Sequence, residues 1–109
     1  RPNRDIKIPR LVKLEDIKGD LHVHSTWSDG HVSIQGMADA AKSRGYEYIG
    51  ISDHSERLRI ANGLTAKDLS KKRRQIEQLN KSIRGIRILF GTEVEILPDG
   101  SFLKSLADP

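Results

Sequence analysis

The chain has 109 residues, of which 36% are hydrophobic and 31% charged, and it carries a formal net charge of +4. That is one small domain, which buries only around two-thirds of its unfolded surface, and no apolar run approaches the roughly 20 residues a bilayer crossing requires. There is no cysteine, which excludes disulfide frameworks, thiolate metal sites and cysteine nucleophiles and leaves nitrogen and oxygen to hold any metal.

Residues 1–18 show no sustained periodicity, and Pro2 and Pro9 favour extended backbone, so the segment reads as a linker. Its start, RPNRDIKIPR, is basic but lacks the apolar core of a signal peptide, so a cytoplasmic location is expected. A chain that begins at Arg1 and ends in the loop-like SLADP is expected to be a piece of something longer. From Asp20 to His24, Leu21 and Val23 alternate with Asp20, His22 and His24, predicting a short strand with both imidazoles on one face. STWSDGH follows as a loop. Ser33 caps a predicted helix running through Met37, Ala38 and Ala41 to about Arg44, and Gly45 ends it. Tyr46 to Ile51 (YEYIGI) predicts a second strand that stops at Ser52, Asp53 and His54. After the polar SERLRIANG, Thr65 caps a long helix with Leu69, Ile76, Leu79 and Ile83 at helical spacing, ended by Gly85. Ile86 to Phe90 (IRILF) predicts a third strand, leading into GTEVEI. The order strand, helix, strand, helix, strand implies an α/β fold of parallel βαβ units with right-handed crossovers.

In a parallel arrangement all strand C-terminal ends lie on one face, where such folds build active sites. The first strand delivers His22, His24 and the nearby Asp29 to that rim. The second delivers Asp53 and His54, and the third Glu93 and Glu95. Imidazole and carboxylate suit divalent ions such as Zn2+, Mn2+ and Fe2+, and two histidines at i, i+2 can face one ion together. Asp29 can return to the same cavity on a loop loosened by Gly30. Each histidine alone is more simply explained as a hydrogen-bonded structural residue, but three of the four histidines following predicted strands, with carboxylates beside them, point to a metal site. His31, the fourth, reads as a surface residue. Metals there would favour hydrolysis, by acidifying a bound water to a pKa of about 7 and polarising the electrophile. Glu93 is the better-placed bridging carboxylate, and Glu95 reads as structural. Arg57 and Arg59, just after His54, are candidates for holding a substrate phosphate. The run Lys71, Lys72, Arg73, Arg74 (KKRR) reads as a solvated helix face, with a nucleic-acid surface as the alternative. Trp27 is placed to cover the mouth of the site, or else to stack on a base or sugar.

DLHVHSTWSDG, GISDHSE and GTEVEILPDGS, in this order and spacing, resemble the first three motifs of the PHP (polymerase and histidinol phosphatase) domain, over roughly Lys18 to Ser101. HxH alone also occurs in amidohydrolases, but the set is far more restrictive. LVKLEDIKGDLHVHSTWSDG and the loop containing IANGL are most similar to the PHP domain that follows the polymerase part of bacterial and archaeal family X DNA polymerases. The resemblance implies a distorted (β/α)7 TIM-like barrel, of which this chain holds the first part as βαβαβ. It also implies a trinuclear Mn2+ or Zn2+ centre and 3′ to 5′ exonuclease or related 3′-end processing of DNA. Under it, residues 1–18 link a preceding polymerase domain to a PHP domain that begins at residue 19. His22 and His24 would hold one metal, Glu93 would bridge two, and Asp29 with His54 would serve a third; Asp53 matches a motif position without being a ligand. The family's later ligand motifs are expected beyond Asp99, since no histidine follows His54. Two exposed sheet edges then imply pairing with another copy or with the remainder of the barrel. The competing readings are a histidinol-phosphate-type phosphatase and a non-catalytic structural module.

Overall fold

A computed structural model of the chain describes residues 7–55 and 65–101. After a single 3-10 turn at Leu14–Asp16, the elements are β1 (Gly19–Val23), α1 (Ile34–Ser43), β2 (Tyr48–His54), α2 (Ala66–Ser82) and β3 (Arg87–Glu93). The three strands form one sheet in the order β1-β2-β3, parallel throughout. The expected βαβαβ fold is therefore present.

Local sequence fixes both helices. The Ser33 side chain accepts a hydrogen bond from the Gly36 amide and starts α1. At its other end Gly45 adopts φ +84°, and the amides of Gly45 and Tyr46 donate to the carbonyls of Lys42 and Ala41. That pair of bonds is a Schellman motif, which needs a left-handed residue and so favours glycine. Thr65 and Asp68 form a reciprocal capping box at the start of α2. This helix ends at Ser82 with an extended Ile83 as its cap, so Gly85 lies beyond it and does not stop it.

Both helices cover one face of the sheet. Ile49, Ile51 and Ile88 from the strands, with Ile86, meet Ile34, Ala38 and Ala41 of α1 and Ile76 of α2 in a single core. Each fully buried isoleucine contributes about 1.5–3 kcal/mol through the apolar surface it removes from water. Along β2, the buried Ile49, Ile51 and Asp53 alternate with Gly50, Ser52 and His54, which turn to the other face. Leu89, Gly91 and Glu93 lie beside those three in register. On that second face Leu21 is 63% and Leu89 39% exposed.

The strand boundaries differ from the sequence expectation: β1 ends at Val23, one residue before His24, β2 and β3 start at Tyr48 and Arg87 in place of Tyr46 and Ile86, and both run past their expected ends. β2 runs on through Ser52, Asp53 and His54, and β3 through Glu93, because the two strands stay paired residue by residue from Tyr48↔Arg87 to His54↔Glu93. His54 and Glu93 thus sit on the last rung of a ladder and not on loops. Between β1 and β2 the register shifts, three residue steps from Asp20 to Val23 facing two from Ile49 to Ile51. This irregularity falls between Asp20 and Val23, the stretch that carries His22.

Candidate metal centre

His54 and Glu93 are Cα partners at the ends of adjacent strands, so their side chains emerge on one face about one strand spacing apart. The Glu93 carboxylate lies at the centre of the group. Its Oε2 is 3.1 Å from His22 Nε2, 2.7 Å from His24 Nε2 and 3.6 Å from His54 Nδ1. Asp29 completes the cluster from the β1–α1 loop, with Oδ1 2.8 Å from His24 Nδ1 and Oδ2 3.5 Å from His54 Nε2. The rings of His24 and His54 stand edge to face at 4.3 Å.

Two overlapping groups have the donor atoms and spacing to hold an ion: His22, His24 and Glu93, and His24, Asp29 and His54. Donors that share one ion at about 2.1 Å lie roughly 3–4 Å from each other; the donor atoms of each group lie within 4.8 Å of one another, and the two His24 contacts, at 2.7 and 2.8 Å, would widen slightly to admit an ion. The chemistry of the donors fits as well. Both nitrogens of His24 face carboxylates, yet a neutral imidazole donates from only one, so a cation at one nitrogen would leave the other to donate its N–H to the carboxylate it faces. His54 Nδ1 is buried and has no hydrogen-bond partner among the described residues. A buried polar atom of this kind is costly, and a metal would satisfy it.

The electrostatics already favour ionised carboxylates. Desolvation pushes the Glu93 carboxyl up, but hydrogen bonds with His22 and His24 and the charges of His54 and His22 outweigh it and hold the group below the ordinary glutamate value. Asp29 is likewise lowered, its desolvation outweighed by the hydrogen bond and charge of His24, its own backbone and the charge of His54. Carboxylates ionised in advance lose little to proton competition when a cation binds.

The loop that carries Asp29 is built tightly. Gly30 donates from its amide to the Ser25 carbonyl at 2.9 Å, and a Cβ on Gly30 would stand 2.6 Å from the His24 carbonyl oxygen. Glycine is therefore present for close approach, which corrects the expectation that it loosens the loop. Asp53 lies on the opposite face of the sheet and is fully buried. Its carboxylate accepts from the Ser25 amide at 2.7 Å, the Ser25 hydroxyl at 2.8 Å and the Ser28 hydroxyl at 2.6 Å. Despite desolvation, these bonds and the charge of Lys72 keep it below the ordinary aspartate value.

Other expectations fare differently. Lys71, Arg73 and Arg74 are exposed, but Lys72 is fully buried, so KKRR is not a uniformly solvated face. The helical period turns that one lysine inward, where desolvation lowers its pKa against the opposing effect of Asp53. No charge count reveals this; the signal was Lys72 standing one turn before Ile76. Trp27 packs against the core, and its indole N–H donates to Gln75 Oε1 on α2 at 2.7 Å, so it anchors the loop and does not cover the mouth of the site. His31 is exposed, as expected, and Glu95 is exposed outside both ligand groups. Arg57, Arg59 and the IANGL loop lie outside the described residues.

A parallel α/β sheet with a histidine and carboxylate cluster at its strand C-terminal ends defines the general class. A family profile described as PHP domain matches residues 20–106, and the chain belongs to that family. It is also similar to the DNA polymerase/3′-5′ exonuclease PolX of Bacillus subtilis (strain 168), with 53% identity over 91 residues. Those residues are 84% of this chain but 16% of the relative.

Proposed function

We propose that the chain is the N-terminal part of a metal-dependent phosphoesterase domain within a family X DNA polymerase, hydrolysing phosphoester bonds at DNA 3′ ends. On this reading residues 1–18 connect a preceding polymerase domain to the PHP domain, the three strands begin a (β/α)7 barrel, and the protein is cytoplasmic. The observation that carries it is the meeting of His22, His24 and His54 around a single Glu93 carboxylate oxygen, with Asp29 of the β1–α1 loop against His24 and His54. DNA is favoured over histidinol phosphate because the similar PolX is named a DNA polymerase and 3′-5′ exonuclease.

His22, His24 and Glu93 would hold one ion, and Asp29 with His54 would serve another. Mn2+ or Zn2+ suits this mixed nitrogen and oxygen donor set. Bound there, the metal supplies Lewis acidity towards a phosphoryl oxygen and a water made acidic enough to be deprotonated near neutral pH. The chain itself contributes an array of donors. Asp29 and Glu93 offer charge that balances the cations, and strand register holds His54 beside Glu93. Arg57 and Arg59 follow His54 closely enough in sequence to steady the substrate phosphate.

The test compares this chain with a version extended through the rest of the PHP domain, assaying metal content and release of nucleotides from a 3′-labelled DNA strand in Mn2+. The extended protein is expected to bind metal and degrade the strand from its 3′ end. An extended protein that folds yet binds no metal would overturn the proposal.

A further inference from the structure

A second cluster of charged side chains lies on the far side of the sheet, beneath the ligands, and none of its members belongs to either metal-holding group. Lys72 enters from α2 and is fully buried. Its Nζ donates to the Ile51 carbonyl on β2 at 2.7 Å and to the Gly91 carbonyl on β3 at 2.9 Å, and lies 3.2 Å from Asp53 Oδ2. Asp53 in turn holds both ends of the Ser25–Ser28 turn, whose Ser28 hydroxyl also lies 3.3 Å from Asp29 Oδ1. One ion pair therefore touches every chain segment that carries a candidate ligand. Ile51 lies three residues before His54, Gly91 two before Glu93, and Ser25 directly after His24.

The energetics argue that this pair does more than stabilise. A buried ion pair is poor value as a source of stability, because desolvating two charges costs several kcal/mol each and a well-packed apolar pair often does as well. What apolar side chains cannot do is fix backbone carbonyls and a turn by directional bonds at set distances. Partners that lie behind metal ligands control their orientation, and their loss typically costs about 10–100-fold in metal affinity.

We propose that Lys72 and Asp53 are positioning residues for the metal centre, a single buried ion pair that sets the spacing of the three strand ends and of the Asp29 loop. This rests on the metal-binding reading above. The experiment measures the Mn2+ dissociation constant by calorimetric titration of the full chain, extended through the PHP domain, well below its melting temperature. Lys72→Met is compared with Ile76→Ala, which removes buried volume one turn further along α2 and leaves the ion pair alone. Lys72→Met is expected to weaken Mn2+ binding by at least about tenfold, while Ile76→Ala lowers the melting temperature and leaves affinity unchanged. Ser25→Ala deletes one bond from the turn to Asp53 without touching a candidate ligand and, with Ser28→Ala, which also removes the 3.3 Å contact with Asp29, provides a reading if Lys72→Met does not fold; a several-fold loss is expected in both. Unchanged affinity in Lys72→Met or, where that fails to fold, in Ser25→Ala or Ser28→Ala would overturn the inference, as would an equal loss in Ile76→Ala. Failure of the unsubstituted protein to bind Mn2+ would instead remove the metal reading and this inference with it.

Discussion

Glu93 touches three histidines through one oxygen, and its removal is expected to do more harm than loss of any outer partner. Glu93→Gln keeps the shape and deletes the charge, so Mn2+ affinity should fall by more than the roughly 10–100-fold typical of those partners, measured by titration. His22 is 69% exposed and leaves the rest of the cluster standing when replaced. His22→Ala should therefore weaken the His22, His24 and Glu93 group selectively, leaving the His24, Asp29 and His54 group intact, which metal stoichiometry will show. Asp53 predicts a pH dependence. Its folded pKa is lowered, so its contribution to stability is present above the ordinary aspartate value and is lost as pH falls through that value towards the folded one. Melting temperature followed downward from neutral pH should drop in that range, and the drop should shrink in Asp53→Asn.

At the scale of elements, the clearest sequence signals were those with a local mechanism. Ser33, Gly45 and Thr65 marked helix ends because each meets backbone groups within a few residues. Thr65→Ala should cost about 1 kcal/mol, read from chemical denaturation, with no change in the site's geometry. Strand ends were harder to place, since apolar alternation fades at Ile51 while the ladder continues to His54. Ser52, Asp53 and His54 look like a turn by composition, and only a neighbouring β3 and the bonds to Ser25, Ser28 and Lys72 make them strand. The ligands were visible because histidines and carboxylates followed apolar runs. Their support was not, because a buried lysine reads like any other lysine and a packed glycine like a flexible one. Gly30→Ala, which forces a Cβ against the His24 carbonyl, should destabilise by about 1–3 kcal/mol and disturb Asp29 more than the strands, as chemical shifts will report.

Across the whole molecule, the helices cover one side of the sheet and none among the described residues covers the other. Both β1 and β3 are edge strands, and the Asn80 side chain bonds the N–H and C=O of Ile88 on β3. Leu21 and Leu89 sit on the uncovered side, where a barrel would place its interior. No helix among the described residues is long and apolar enough to cross a membrane. A chain extended through the rest of the PHP domain should therefore melt higher than the 109-residue chain, as calorimetry will show. The inward turn of Lys72 has a further use. Its amine is hidden between sheet and helix while Lys71 beside it faces water, so an amine-acylating reagent should mark Lys71 within the folded population and reach Lys72 only when α2 lifts away. The ratio of the two labels, followed over time by mass spectrometry, becomes a clock for the opening of the entire layer.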